Sequence, residues 1–270
     1  MSLPQVQLKE GIHVIHLFYR INRIRWSELT LPQSKQSLEQ LDALCKANSA
    51  DSHPRLLSYA NVGGKADLAF FLLAKDLGSV AQMHRDLEKC FPPGTLQPVY
   101  SYLSVTELSE YMPTDEDNLR ILAAEKLEPG SEAHTKRLGE LKARMDEYRH
   151  YRLYPELPDW EIMCFYPMNK KRNLGDNWYM LDFDARKKLM GGHARVGRKY
   201  GGRVNQLISG STGLDDWEWG VTLVAQQLDP IKEIVYEMRF DEVSARYGEF
   251  GEFYINLRLS PEAIWKHLHL

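Results

Sequence analysis

Along the chain, short apolar runs alternate with polar segments in which apolar residues recur at helical spacing. This arrangement occurs twice. In the first half, the run from Gly11 to Tyr19 and the runs on either side of Gly63-Gly64-Lys65 predict strands, the last two joined by a tight turn. Polar segments around Leu38–Cys45 and from Asp76 to Cys90 have helical spacing. The order predicted for this half is strand, helix, strand, turn, strand, helix.

The second half repeats that order. Residues 160–167 read as a strand, and a helical stretch runs from Asp182 to Tyr200. Two apolar runs then flank the Gly213–Asp216 turn, and the segment 229–240 is again helical. A twice-repeated unit of this kind favours an α+β fold made of two ferredoxin-like halves, each an antiparallel sheet with helices on one face.

A charged segment from about Pro113 to Pro158 separates the halves. Its apolar positions recur at helical spacing, which predicts a connecting helix with one apolar stripe: Leu138, Leu141, Met145 and Tyr148. We therefore divide the chain into an N-terminal half (1–112), a connecting helical segment (113–158) and a C-terminal half (159–270).

Composition excludes several classes of function. The formal net charge is −3, with 34 Lys and Arg against 37 Asp and Glu, so no nucleic-acid or anionic-membrane partner is expected. The three cysteines, at 45, 90 and 164, lack CxxC spacing, which argues against a disulfide framework or a zinc site and favours reduced thiols in the cytoplasm. The sequence begins without the apolar run of a signal peptide, and no run is long enough to predict a membrane span.

The helix predicted after Asp182 carries a histidine on its apolar face. Asp182 is a suitable N-cap, and His193 falls on the same stripe as Leu189 and Val196. Gly191-Gly192 would let a flat group approach closely. A histidine in such a place is more often a satisfied core residue than a ligand, but a neutral imidazole there could also bind heme iron axially. The pattern leaves both interpretations open.

The strand FYPMNKKR offers a second group of candidates. Tyr166, Met168 and Lys170 alternate, so an extended strand projects them from one face. They are either a strand end with a surface lysine, or a pocket wall in which Lys170 holds a carboxylate and Tyr166 offers a redox-active phenol. Pro167 predicts that the strand lies at an edge or near its end.

Further side chains suit an anionic ligand, although each alone is more often a solvated surface residue: Arg152, Arg198, Arg239 and Ser244. Gln206 opens the strand QLIS. An uncharged amide beside a metal can donate a hydrogen bond but supplies no positive field.

The run from Tyr166 to Phe253, with YPMNKKR, HARVGRKYGGRVNQ, GSTGLDDWEWGV and YEMRFDEVSARYGEFG, closely resembles the chlorite dismutase family, and within it the coproheme decarboxylases. The resemblance implies two ferredoxin-like halves that form a dimeric α+β barrel, assembled into a homopentamer. It also implies the activity: hydrogen peroxide drives oxidative decarboxylation of two propionates of iron-coproporphyrin III (coproheme), giving heme b. The iron then belongs to the substrate.

The resemblance also assigns roles to residues of this sequence. It makes His193 the proximal iron ligand, Tyr166 the radical that attacks a propionate, and Lys170 a participant at the second propionate. The other implied contacts to the porphyrin are Arg152, Met168, Gln206, Arg239 and Ser244. A coproporphyrin ferrochelatase is a partner that could deliver the substrate.

Three alternatives stay open. Chlorite dismutases carry a distal arginine where this sequence has Gln206, and that difference favours decarboxylation. A non-catalytic heme carrier would need His193 and the arginines but has no use for Tyr166. A cofactor-free α+β barrel would bind no porphyrin.

Overall fold

The computed structural model describes residues 3–49 and 53–270. In chain order the first half contains β1 (His13–Ile21), α1 (Arg23–Ser27), α2 (Leu31–Ala47), β2 (Arg55–Val62), β3 (Leu68–Ala74), α3 (Leu77–Lys89) and β4 (Leu96–Thr106). The connecting segment holds α4 (Asp115–Ala124) and α5 (Glu132–Leu153). The second half contains β5 (Ile162–Lys170), β6 (Arg172–Asn173), β7 (Asp176–Asn177), a short 3-10 helix (Trp178–Met180), α6 (Phe183–Arg198), β8 (Asn205–Gly210), β9 (Trp219–Ala225), α7 (Leu228–Met238), α8 (Glu242–Tyr247), β10 (Gly248–Phe250), β11 (Tyr254–Arg258) and α9 (Pro261–Leu268).

Both halves have the ferredoxin-like strand order, which confirms the predicted α+β fold. The order is β4-β1-β3-β2 in the first half and β11-β5-β9-β8 in the second, with every pairing antiparallel. The fourth strand of each half pairs with the second strand of the other, as β4 with β8 and β11 with β2. These two cross-half pairings close the sheet into an α+β barrel.

Closure produces one core inside the sheet and separate cores outside it. The inner core takes alternate side chains from both halves, including Phe18, Phe71 and Phe165. Outside, α2, α3 and α9 cover the first half, whereas α6 and α7 cover the second. Strand β3 is buried at every position because both of its faces are covered, which explains its nearly continuous apolar sequence. In the described part of the chain, no helix has the length and apolar character needed to cross a membrane.

A histidine lies inside the barrel where the two halves meet. His16 is fully buried, stacks on Phe165 at 4.0 Å between ring centroids, and places Nε2 2.8 Å from the hydroxyl of Thr222. Burial lowers the pKa of His16 to about 3, so the imidazole is neutral. We interpret His16 as a structural link between the halves.

The expected cap of α6 is confirmed. Of the two positions expected for Pro167, the edge of the sheet is wrong, whereas the end of β5 does follow shortly, at Lys170. Asp182 caps α6 by accepting a hydrogen bond from the amide of Ala185. Strand β5 is internal at Pro167, with β9 on one side and β10 and β11 on the other. The Pro167 carbonyl accepts from Gly251, in the break between β10 and β11. Its nitrogen faces the same break, so the missing N–H interrupts no regular ladder.

We predict that Gly220→Ala destabilises the closed sheet. A Cβ at this position in β9 would lie 2.5 Å from Tyr102 and 3.2 Å from Phe165, both in the inner core. Overpacking of this kind costs about 1–3 kcal/mol. Urea denaturation measures the change, with Gly139→Ala as control, because a Cβ there meets nothing within 4 Å. Equal stability of the Gly220 variant and wild type would contradict this packing.

Candidate functional site

The candidate site is built around a histidine–carboxylate pair. His193 lies on α6, and its Nδ1 is 3.0 Å from Oδ2 of Asp241. A carboxylate only accepts, so Nδ1 carries the proton and Nε2 keeps the lone pair that can bind a metal. Asp241 also caps α8, accepting from the amide and the hydroxyl of Ser244, each at 3.1 Å. Burial raises the pKa of Asp241, but the bonds from His193 and Ser244 outweigh burial and hold the pKa below its usual value.

Lys170, at the end of β5, lies close to this pair. Its side chain is buried, and its Nζ sits 4.7 Å from the ring centroid of Trp178. Burial lowers the pKa of Lys170 to about 8, although the negative charges of Asp241 and Glu218 act to raise it. A buried amine that titrates near neutral pH can bind a carboxylate as a cation and can also exchange a proton.

Tyr166 lies two positions along the same face of β5 from Met168. Its ring is 4% exposed and stacks on Phe253 at 4.3 Å between centroids. The guanidinium of Arg239, itself on the exposed side, lies 3.8 Å from the centroid of Phe250, which flanks Tyr166. Burial raises the pKa of Tyr166 above its ordinary value, against a smaller opposing effect of Arg239. The phenol is therefore protonated at neutral pH and has a hydrogen atom to give.

The alternation predicted for β5 is confirmed. Cys164, Tyr166 and Met168 belong to the outer core beneath α6 and α7, whereas Met163 and Phe165 belong to the inner core. The outer face of β5 therefore forms one wall of the site.

Strand β8 lies on the far side of β9 from β5 in the same sheet, and two further candidates lie on it or contact it. Arg152 donates to the carbonyls of Glu107 at 3.4 Å and Ile208 at 3.3 Å, while its buried Nε has no hydrogen-bond partner among the described residues. Gln206, on the same strand as Ile208, donates its amide to the carbonyl of Gly197 at 3.0 Å. Gly197 follows His193 by one helical turn, so Gln206 lies against the helix that carries the imidazole.

These contacts link His193 with Ser244 through Asp241, and Tyr166 with Arg239 through Phe250, while Arg152 and Gln206 lie along β8. Arg198 differs, because its side chain is exposed at the end of α6. Sequence reasoning missed Asp241, Glu218 and Trp178. The pattern Asp-x-x-Ser at 241–244 is a recognisable N-cap signal, but nothing local links it to a histidine 48 positions earlier. Glu218 and Trp178 carry no local signal of this kind.

The sequence matches a family model described as chlorite dismutase over residues 34–259, which is most of the chain. The chain belongs to the chlorite dismutase family. The resemblance inferred from the motifs is thus confirmed at the level of the family.

Solved structures agree with this membership. A heme-binding protein from Thermus thermophilus is 38% identical with a TM-score of 0.79, and the alignment covers 100% of this chain and 99% of that one. A mutant chlorite dismutase from Candidatus Nitrospira defluvii is 17% identical with a TM-score of 0.70, covering 97% of this chain and 98% of that one. At the lower identity, the likeness shows a shared fold alone.

We predict that Asp241→Asn weakens the acid dependence of stability. Because the pKa of Asp241 is lower in the folded chain than its ordinary value of 3.8, its contribution is present above that value and is lost as pH falls through the folded pKa. The free energy of unfolding should therefore fall less steeply below about pH 4 in the variant than in wild type.

Urea denaturation at a series of acidic pH values measures this slope. Asp216→Asn is the matched control, since Asp216 is exposed on the turn before β9 and should leave the slope as in wild type. Identical slopes for Asp241→Asn and wild type would show that the carboxylate is not stabilised by its donors.

Proposed function

We propose that this chlorite-dismutase-family protein is a coproheme decarboxylase. In this proposal hydrogen peroxide oxidises two propionates of bound iron-coproporphyrin III to vinyl groups, and the product is heme b. The observation that carries the proposal is the outer face of β5. It presents a buried, protonated phenol at Tyr166 and a buried amine at Lys170, and Lys170 lies beside the His193–Asp241 pair.

The residues present fit an iron porphyrin. His193 offers one free ring nitrogen, oriented by Asp241. Within the described residues, His, Cys, Asp and Glu side chains form no group of three or more that could hold a metal ion. An iron bound at His193 would therefore need its other ligands from a porphyrin. The heme-binding protein from Thermus, 38% identical over the whole chain, supports this ligand class.

Cationic groups fit the carboxylates of such a substrate. Arg152 has a buried, unpartnered Nε among the described residues, Lys170 is held in the site, and Arg239 lies at its exposed side. Guanidinium and ammonium groups bind carboxylates through charge-assisted hydrogen bonds. Ser244 lies beside these groups, with its hydroxyl donated to Asp241. We propose that Ser244 acts at a propionate through the remaining lone pairs of that oxygen or after reorienting.

The mechanism assigns hydrogen transfer to Tyr166. Bound iron porphyrin supplies the oxidising power when peroxide is present. Tyr166 gives up its hydroxyl hydrogen as a proton and an electron, and then takes a hydrogen atom from the β-carbon of a propionate. Loss of one further electron releases carbon dioxide and leaves a vinyl group. For each propionate, the two electrons removed, with the hydrogen's proton and one proton from solvent, would reduce one hydrogen peroxide to two waters. The protein chiefly orients the reacting groups, so the position of Tyr166 decides the rate.

One alternative has a specific observation in its favour. The relative at 38% identity is described as heme-binding, which would also fit a non-catalytic carrier.

Chlorite dismutation is less well supported, since Gln206 donates to a helix carbonyl and supplies no positive charge. Oxygen release on adding chlorite to the purified protein would favour that activity over decarboxylation.

Assembly and supply belong to the same proposal. With the decarboxylase activity we propose a homopentamer, a cytoplasmic location and delivery of the porphyrin by a coproporphyrin ferrochelatase. Light scattering of the purified protein tests the first of these.

Tyr166→Phe should bind coproheme with nearly unchanged affinity but release no carbon dioxide when peroxide is added. The substitution removes only the hydroxyl that carries the transferable hydrogen, and the ring can still stack on Phe253. Affinity is measured by titration of the Soret band, and products by chromatography and mass spectrometry. Normal heme b formation by the variant would exclude the radical role. Binding without turnover in wild type would instead favour the carrier.

Lys170→Ala should stop the reaction at a porphyrin with three propionates. We expect the first decarboxylation to proceed, because Tyr166 and His193 are unchanged. The second propionate loses its cationic partner. Mass spectrometry of the products over time distinguishes the intermediate from coproheme and heme b. A normal rate of heme b formation would remove Lys170 from the mechanism.

A further inference from the structure

Glu218 is a buried acid at the turn into β9 that the proposed reaction does not use. It is 7% exposed. Its Oε2 accepts the amide of Lys170 at 2.8 Å, and its Oε1 lies 3.4 Å from the guanidinium of Arg172. The guanidinium of Arg172 also lies over the Tyr179 ring, 5.9 Å from its centroid. The Glu218 amide donates to the side chain of Asn169 at 2.7 Å. A single carboxylate therefore joins the end of β5 and the start of β6.

These contacts determine where Lys170 lies. The main chain of Lys170 is held directly by Glu218, and the next carbonyl, that of Lys171, accepts from the amide of Trp178 at 3.0 Å. The Trp178 ring lies beneath the Lys170 ammonium at 4.7 Å. Glu218 therefore holds the backbone segment that carries the lysine and to which the aromatic residue under its charged end is bonded.

Glu218 also acts on the charge of Lys170. Two carboxylates influence this ammonium, Asp241 from the start of α8 and Glu218 from the start of β9, and both oppose the effect of burial on its pKa. Asp241 is already engaged by His193 and Ser244. Of the two, Glu218 is the one bonded to the main chain of Lys170.

We propose that Glu218 is a positioning residue for the second decarboxylation, holding Lys170 and its aromatic support so that the ammonium faces the second propionate. This inference rests on the proposed function, because it takes Lys170 to act at that propionate. Glu218 itself touches no reacting atom. It acts through the lysine.

The test is Glu218→Gln, which keeps the side-chain length and an oxygen for the Lys170 amide but removes the charge. We expect the rate of the first decarboxylation to stay within about twofold of the wild-type rate. The rate of the second should fall about tenfold, as for loss of one charged contact. The second step should also decline at a lower pH, by about one pH unit, because a nearby negative charge no longer favours the ammonium. Product mass spectrometry across a pH series gives both quantities.

Two further variants separate positioning from a general structural effect. Glu218→Asp retains the charge, so the pH at which the second step loses half its rate should return toward the wild-type value. Arg172→Gln breaks the ion pair with Glu218 but leaves its carboxylate, so the midpoint should stay or rise. Equal slowing of both steps in Glu218→Gln, with an unmoved midpoint, would overturn the proposal. If Glu218→Gln does not fold, a lower midpoint in Arg172→Gln would overturn it.

A readout without porphyrin distinguishes this inference from the proposed function. The 13Cε resonance of Lys170, assigned with Lys170→Arg in lysine-labelled protein, reports the titration of the amine directly. We expect the pH midpoint of this resonance to fall in Glu218→Gln even if wild type decarboxylates nothing. In that case the proposed reaction fails, but the effect of Glu218 on Lys170 stands. An unchanged midpoint in a protein that does make heme b would instead defeat the role of Glu218.

Discussion

The register of β5 is the constraint on which the site depends. The strand pairs with β9 along one edge and with β10 and β11 along the other, so it cannot slip. Its inward residues fill the barrel, and its outward residues must therefore include Tyr166, Met168 and Lys170. A slip of one residue would move the phenol and the amine into the inner core. Closure of the sheet thus determines on which side Tyr166 and Lys170 lie, as well as how the core packs.

Two carboxylates outside the barrel, Asp241 and Glu218, have polar partners among the described residues. Asp241 accepts from His193 and Ser244, and Glu218 accepts from Lys170 and lies within ion-pair distance of Arg172. Unpaired buried charges would cost several kcal/mol each. Asp241 thereby joins α6 to the start of α8, and Glu218 joins the end of β5 to the turn before β9. The pKa of Lys170 is set by two opposing effects: burial favours the neutral amine, and two carboxylates favour the cation.

The sequence predicted what depends on local pattern. It identified the apolar strands, the cap of α6 and the common face of Tyr166 and Lys170, because period and capping are written in neighbouring residues. Strand β4 was missed, since its first half is largely exposed and lacks an apolar run. The partner of His193 and the contacts of Glu218 were also missed, because they join segments brought together only when the sheet closes. The internal position of Pro167 could not be predicted for the same reason. A proline fits inside the sheet there because its missing N–H faces the break between β10 and β11.

The fold alone does not decide the reaction. A chlorite dismutase 17% identical shares the architecture, so the difference in reaction that we propose would have to lie in side chains that face the substrate. In the proposed function, the cations Arg152, Lys170 and Arg239 would bind carboxylates, although the total charge of the chain is −3. Cationic side chains together with an uncharged amide at Gln206 suit a substrate with several carboxylates better than a small oxyanion. Such a substrate needs positive charge at its periphery and little at the metal itself.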